Sequence, residues 1–423
     1  MSNIPPPPPP FTPSFTPTQG HFPPPPPPPS NNFHTIHRPS HALTSTLPPP
    51  SPPMTNSSNT TTIDTTTSTT NTKPKKTWKT LSEDNNRLNL QQAIAHPIDQ
   101  SVEWEHIRNI CLSTSGAAGS SGVFFVETQI PNQVVVVKAP ATLAGEIFGS
   151  RIAKLLGLCS PTIRLVEYSP KIKNREQLLK GGGREWIFMK ENMKRVARNK
   201  NDTICEMKVE KELDRAFFMV MEFVEGAVSL EDLMNREELA QKLMQHEEIL
   251  LDIGKMIVLD IICNNCDRFP MTGIWDHEGN ATNILFSSSH SKLVCIDQTL
   301  FAISGEDNQK LYLDKLVKFV DSLYSTKPNE NSYIDDVSRY INQMTGVKLG
   351  EEQKETIFKG IMNAIQILSS PDFALESLEN LKKEIDSMKT GSDWADVWKL
   401  SIDTLNLRWF YENIKVLISR CNV

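Results

Sequence analysis

The sequence predicts an α+β chain in two lobes, a β-rich N-terminal lobe and a largely helical C-terminal lobe, preceded by a disordered proline-rich tail. Three observations predict it. The first 72 residues hold 21 of the 30 prolines and only two charged side chains, Arg38 and Asp64. Aromatic and β-branched runs of strand character crowd the stretch from 122 to 223. From Glu238 onward the apolar residues fall almost continuously into helical spacing. The expected units are 1–79 for the tail and a basic hinge, 80–226 for the first lobe and its exit strand, and 227–423 for the second lobe.

The tail is expected to be disordered because it has too little apolar surface to offset its ordering entropy. It ends in the basic bridge "TKPKKTWK". Pro5 to Pro10, Pro23 to Pro29 behind Phe22, and "LPPPSPP" are polyproline II segments, already ordered for aromatic grooves. Profilin, EVH1 and SH3 domains are the partners that such runs fit. A low-complexity spacer without a partner is the plainer alternative.

With only Arg38 and Asp64 in the first 72 residues, the net charge of −6 lies in the remainder. That remainder is mildly acidic and has no basic stripe, which argues against nucleic acid as a partner. Seven scattered cysteines, an odd number, fit a reducing compartment better than a disulfide framework. Prolines occupy the place of a signal peptide's apolar core, and no apolar run reaches the ~18 residues of a membrane span. A cytoplasmic protein is expected.

"GVFFVETQI" and "QVVVVKAP" read as two strands joined at Pro131-Asn132. "TLAGEIFGSRIAKLLGL" sets Ile147, Phe148, Ile152, Leu155 and Leu156 on one face of a helix. "PTIRLVEYS" and "EWIFMKEN" read as further strands, and "RAFFMVMEFVEG" as a buried strand ending in a turn. The charged stretch from Asn192 to Asp214 reads as a surface excursion. "TNILFS" and "KLVCID" form a short strand pair within the helical half, and no repeat of 20 to 50 residues points to a propeller or solenoid.

Four elements then occur in a telling order. Gly116, Gly119 and Gly122, three apart and directly before a strand, let backbone N–H groups approach phosphate oxygens. Gly/Ser loops between strands are common, so alone they say little. Lys138 closes the valine run, where its ammonium can meet the phosphates of a nucleotide or simply reach water. Glu146, eight residues on and on the following helix, is either its ion-pair partner or an ordinary solvated glutamate. Last come Asp267, Asn283 and Asp297, an oxygen-rich trio suited to Mg²⁺ with one carboxylate left to accept a hydroxyl proton. The order glycine loop, lysine, glutamate, aspartate, asparagine, aspartate is that of the protein-kinase fold.

"NNCDRFP", "GNATNILF" and "VCIDQ", with "GSSGVFFV" and "VVVVKAP" upstream, resemble the catalytic domain of the actin-fragmin kinase family over most of residues 100–423. That family is an atypical branch of the kinase-like fold, distantly similar to phosphoinositide kinases. The resemblance implies ATP and Mg²⁺ as cofactors and transfer to Ser or Thr of a protein, with actin in a capping complex as the favoured acceptor. It implies that Lys138 binds phosphates and Glu146 holds Lys138. Asp267 would be the catalytic base, with Asn283 and Asp297 as metal ligands. "MEFVEG", with Glu222 and Val224, would meet the adenine edge through its backbone.

The chain departs from the common kinase pattern. Asn265-Cys266 precede Asp267 where His-Arg is usual, and Asn283 follows after 16 residues instead of five. Gln298-Thr299 replace Phe-Gly and no A-P-E follows, so activation by loop phosphorylation is not expected. Cys263 and Cys266 form a C-x-x-C without a second pair or a histidine at zinc spacing, and Cys263 reads as a core thiol. Two rivals stay open. One is phosphoryl transfer to a phosphoinositide or small molecule, and the other is an inactive kinase-shaped scaffold recruiting actin regulators through the tail.

Overall fold

The computed structural model describes residues 88–113, 122–140, 142–168, 184–287, 292–391 and 393–419. The valine run shows how the sheet is built. Val134 and Val136 enter one apolar core, while Val135 and Val137 enter another. A strand buried on both faces reads as a continuous apolar run rather than an alternation.

In chain order the first elements are β1 (Ile94–Ala95), β2 (Asn109–Leu112), β3 (Val123–Glu127), β4 (Gln133–Lys138), α1 (Leu143–Leu155) and β5 (Ile163–Glu167). Two helices, α2 (Arg184–Asn199) and α3 (Thr203–Glu212), then lead into β6 (Phe217–Glu222). The strands form one sheet in the order β2-β3-β4-β6-β5, antiparallel along that path, with β1 joined in parallel to the start of β4. Asn132, at φ 62°, makes the turn between β3 and β4.

The rest is mostly helical: β7 (Ala227–Ser229), α4 (Glu237–Met244), α5 (Glu247–Cys263), then the strand pair β8 (Ile284–Ser287) and β9 (Lys292–Cys295). After these come α6 (Glu306–Ser325), α7 (Ser332–Thr345), α8 (Glu351–Leu368), α9 (Leu375–Ser387), α10 (Ala395–Asp403) and α11 (Leu407–Ile418). Strands β7, β8 and β9 pair in sequence as a small antiparallel sheet. At Gly254 and Gly360, α5 and α8 pack nearly backbone to backbone. A Cβ on either would fall within 2.2 Å of a carbonyl oxygen of the other helix. No described helix is long and apolar enough to cross a membrane.

Two readings need correction. "EWIFMKEN" is not a strand but the first half of α2, and Asn192 to Asp214 is not a loose excursion but the rest of α2 with α3. A short window dominated by Trp, Ile and Phe mimics a strand. Over the whole of α2, Trp186, Met189, Met193 and Val196 recur three or four residues apart, which is helical. Met189, Met193, Val196, Cys205 and Val209 are buried against the sheet.

Candidate active site

Lys138 is the last residue of β4, in register with Val123 and Met219 on the neighbouring strands, so the sheet fixes its backbone from both sides. Its Nζ lies 3.0 Å from both carboxylate oxygens of Glu146, in the first turn of α1. The same ammonium lies 2.7 Å from Oδ1 of Asp297, just past β9. Lys138 and Glu146 are buried, whereas the Asp297 side chain keeps 35% of its exposure. Asp297 adopts a left-handed backbone, φ 55°, which turns the chain away from β9.

Burial works against both charges, with different outcomes. The ammonium has two carboxylates for partners, which outweigh its desolvation and hold its pKa above the ordinary lysine value. Glu146 has a single cation, and desolvation, helped by the Asp297 charge, pushes its carboxyl up to about 7.

Asp267 follows α5. Helix α5 ends at Asn264 in the left-handed conformation (φ 52°), where asparagine is well tolerated. The Asn264 side chain then spans two segments. It donates to the Phe301 carbonyl at 3.1 Å and accepts from Trp275 Nε1 at 2.9 Å. Asp267 Oδ2 accepts from Asn283 Nδ2 at 2.9 Å and lies 3.5 Å from Asn280 Nδ2. The inserted segment closes on itself, because Asn280 N–H donates to the Arg268 carbonyl at 2.9 Å. The fifteen intervening residues thereby return Asn283 to Asp267, whose carbonyl also accepts from Asn283 Nδ2 at 3.1 Å.

Beneath both aspartates lies a pair that reading the motifs missed. Arg268 is fully buried and bonds Asp260 of α5, while its Nη2 donates to the Ile296 carbonyl at 2.5 Å. Asn265 adds long bonds to the Asp260 carboxylate (3.3 Å) and the Asp297 carbonyl (3.4 Å). The segments carrying Asp267 and Asp297 are thus tied by one guanidinium and one amide. Burial pushes the Asp260 carboxyl up to about 7 against the pull of Arg268. An aspartate inside the apolar run "VLDIIC" was the signal, since a carboxylate there needs a buried partner.

The remaining candidates are placed as follows. Glu222 ends β6, its N–H donating to the Thr162 carbonyl at 2.9 Å and its carboxylate accepting from Thr162 N–H at 3.1 Å. The Val224 carbonyl accepts from Ala227 N–H at 3.4 Å in the short crossing to β7. A Cβ on Gly122 would lie 3.2 Å from the Phe124 ring, so this glycine is packed against its own sheet. Gly116 and Gly119 lie outside the described residues. Cys263 is buried and its thiol is pushed up by desolvation, and among the described residues no cluster of three or more His, Cys, Asp or Glu could cage a metal.

A family model for the catalytic domain of actin-fragmin kinase matches residues 82–365. A Dictyostelium discoideum protein named "Putative actin-fragmin kinase" is 24% identical over 316 residues, covering 71% of this chain and 70% of its own length. A second protein of that organism with the same name is 23% identical over 343 residues, covering 78% and 77%. Among solved structures, the Helicobacter pylori proinflammatory kinase CtkA matches at 12% identity and a TM-score of 0.27, over 64% of this chain and 94% of its own. So weak a superposition carries no argument.

Proposed function

Because the chain belongs to the actin-fragmin kinase catalytic family, we propose that it transfers the γ-phosphoryl group of ATP to Ser or Thr of a protein in the cytoplasm, with actin in a capping complex as the favoured acceptor. In this reading the molecule is a bilobal kinase, and its nucleotide lies between the β4 end and the segments carrying Asp267 and Asp297. The observation that carries it is Lys138 Nζ held between Glu146 and Asp297. A lysine so fixed presents one ammonium to phosphate oxygens, while the backbone at Glu222 to Val224 meets the adenine edge.

The donor set fits Mg²⁺. Asp297 is partly exposed, and Asn283 commits its amide nitrogen to Asp267, which turns its amide oxygen elsewhere. Two such ligands with phosphates and water suit this ion better than an all-protein cage. When bound, Mg²⁺ supplies positive charge against the phosphate oxygens. Asp267, with Oδ2 engaged by Asn283, offers Oδ1 to the acceptor hydroxyl. The hydroxyl proton passes to Asp267 as its oxygen bonds to phosphorus, and the bond to ADP breaks with the electron pair leaving on ADP.

The test is ATP with Mg²⁺ and the full chain, offered actin, actin bound to a severing and capping protein, or phosphoinositide vesicles. Asp267→Asn should lower transfer by about 10²–10⁴-fold while ATP affinity stays close to wild type. Undiminished transfer removes Asp267 as the base, and transfer to lipid alone redirects the acceptor.

A further inference from the structure

The helix that carries Glu146 is capped from the far end of the chain. Thr142 precedes α1, but its side chain makes no capping bond to the helix. Instead Ala144 N–H donates to Ser401 Oγ of α10 at 3.0 Å, across 257 residues of sequence. That hydroxyl satisfies one of the four orphan N–H groups at the start of a helix, the usual task of a local N-cap.

Neighbouring contacts hold α1, and β6 as well, to the same C-terminal helices. Phe148 packs edge-on against Phe410 of α11 with ring centres 5.3 Å apart, both rings fully buried. Phe217 of β6 lies 5.2 Å from Trp398 of α10. Helix α11 also reaches the other half of the site, where buried Asn413 donates to the Ile262 carbonyl at 3.1 Å, near the end of α5. On its inner side α1 has no room to slide. A Cβ on Gly149 would sit 1.9 Å from the Gln298 carbonyl oxygen, one residue past Asp297. The helix is thus seated between the Asp297 turn and α10 and α11, which lie beyond the family match at residue 365.

We infer that Ser401 is a positioning residue for Glu146: by capping α1 from α10 it sets the height at which the carboxylate meets Lys138, so the C-terminal helices fix how Lys138 is presented to a nucleotide. The inference rests on the kinase reading for the nucleotide alone, since the geometry of the Lys138–Glu146 pair is independent of it. Ser401 is half-buried at the surface of α10, so Ser401→Ala should leave the core intact.

The full chain decides the matter. Ser401→Ala should raise the KM for ATP about threefold to tenfold, the effect of one unmet buried N–H. The KM for the protein acceptor should hold and Tm should fall by no more than about 2 °C, while Ser401→Thr should restore the ATP value. In a Glu146→Gln background the same substitution should add nothing, because its effect runs through that carboxylate. A nucleotide-free readout stands beside these: acylation of Lys138 by an amine-reactive ester, located by mass spectrometry, should run several-fold faster in Ser401→Ala. Unchanged labelling, or an effect that simply adds to that of Glu146→Gln, overturns the inference. A wild-type chain that binds no ATP defeats the kinase reading instead, and the labelling still decides the role of Ser401.

Discussion

On the Lys138 side of the site, titratable groups from three separate segments hold one another, two of them buried. On the Asp267 side, a carboxylate is held by the neutral amides of Asn283 and Asn280, both carried by one loop that closes on itself. The difference teaches what each half can tolerate. Removing a member of a buried charge group strands its partners in a poorly solvating interior. Removing an amide from a partly exposed carboxylate leaves water to take its place. Substitutions on the first side should therefore be felt in folding, and those on the second mainly in turnover.

Lys138→Met is the harshest trial of that contrast. It leaves Glu146 buried without a cation, and denaturant unfolding at pH 7.5 should show a loss of about 3–5 kcal/mol. Adding Glu146→Leu removes the stranded carboxylate and should recover part of the loss, although two charged groups are then missing. If Lys138→Met proves as stable as wild type, the pair is not a structural unit and the contrast is lost.

That contrast also explains what could be read in the sequence. Strand β4 and Lys138 were legible because a strand buried on both faces leaves an unbroken valine run. Glu146 was legible only as an option. Its pairing depends on α1 beginning at Leu143, five residues past the strand end, so that its first turn faces Lys138. The return of Asn283 depends on the Asn280–Arg268 backbone bond, which no periodicity encodes. Asp260 was readable in principle and passed over, whereas Ser401 was not readable, since nothing local marks a hydroxyl as the cap of a helix 257 residues away. Helix α2 was misread because a window of eight residues is too short to separate a period of 3.6 from an apolar cluster.

A smaller effect sharpens the comparison through pH. Glu146 titrates near pH 7 in the folded chain, against an ordinary value of 4.5. Its folded pKa is raised, so the stability it contributes is fully present below about pH 4.5 and is lost as pH rises through about 7. Between pH 5 and 7.5 the wild type should therefore lose stability relative to Glu146→Gln, by roughly 2 kcal/mol. Kinetics should run the opposite way. As pH falls through 7 the carboxyl takes up a proton, its hold on Lys138 weakens, and the KM for ATP rises in the wild type but not in Glu146→Gln. Parallel stability curves for the two proteins would show that Glu146 stays ionised throughout, and that its cation alone compensates for burial.

The mildest substitutions probe the Asp267 side from within. Asn283 and Asn280 both point an amide nitrogen at Oδ2 of Asp267, at 2.9 Å and 3.5 Å. The first is a well-formed hydrogen bond, while the second lies at the outer limit of one. Asn283→Ala should therefore lower kcat about tenfold through the aim of the proposed base alone, and further if the amide oxygen also holds Mg²⁺. Asn280→Ala should cost no more than about threefold, with both proteins unfolding within about 2 °C of wild type. Raising Mg²⁺ separates the two tasks proposed for Asn283, because excess cation can offset a lost ligand but cannot re-aim Asp267. Should Asn280→Ala prove as damaging as Asn283→Ala, the loop's backbone closure rather than the amide of Asn283 is what orients Asp267, and the two sides of the site would be held in the same way after all.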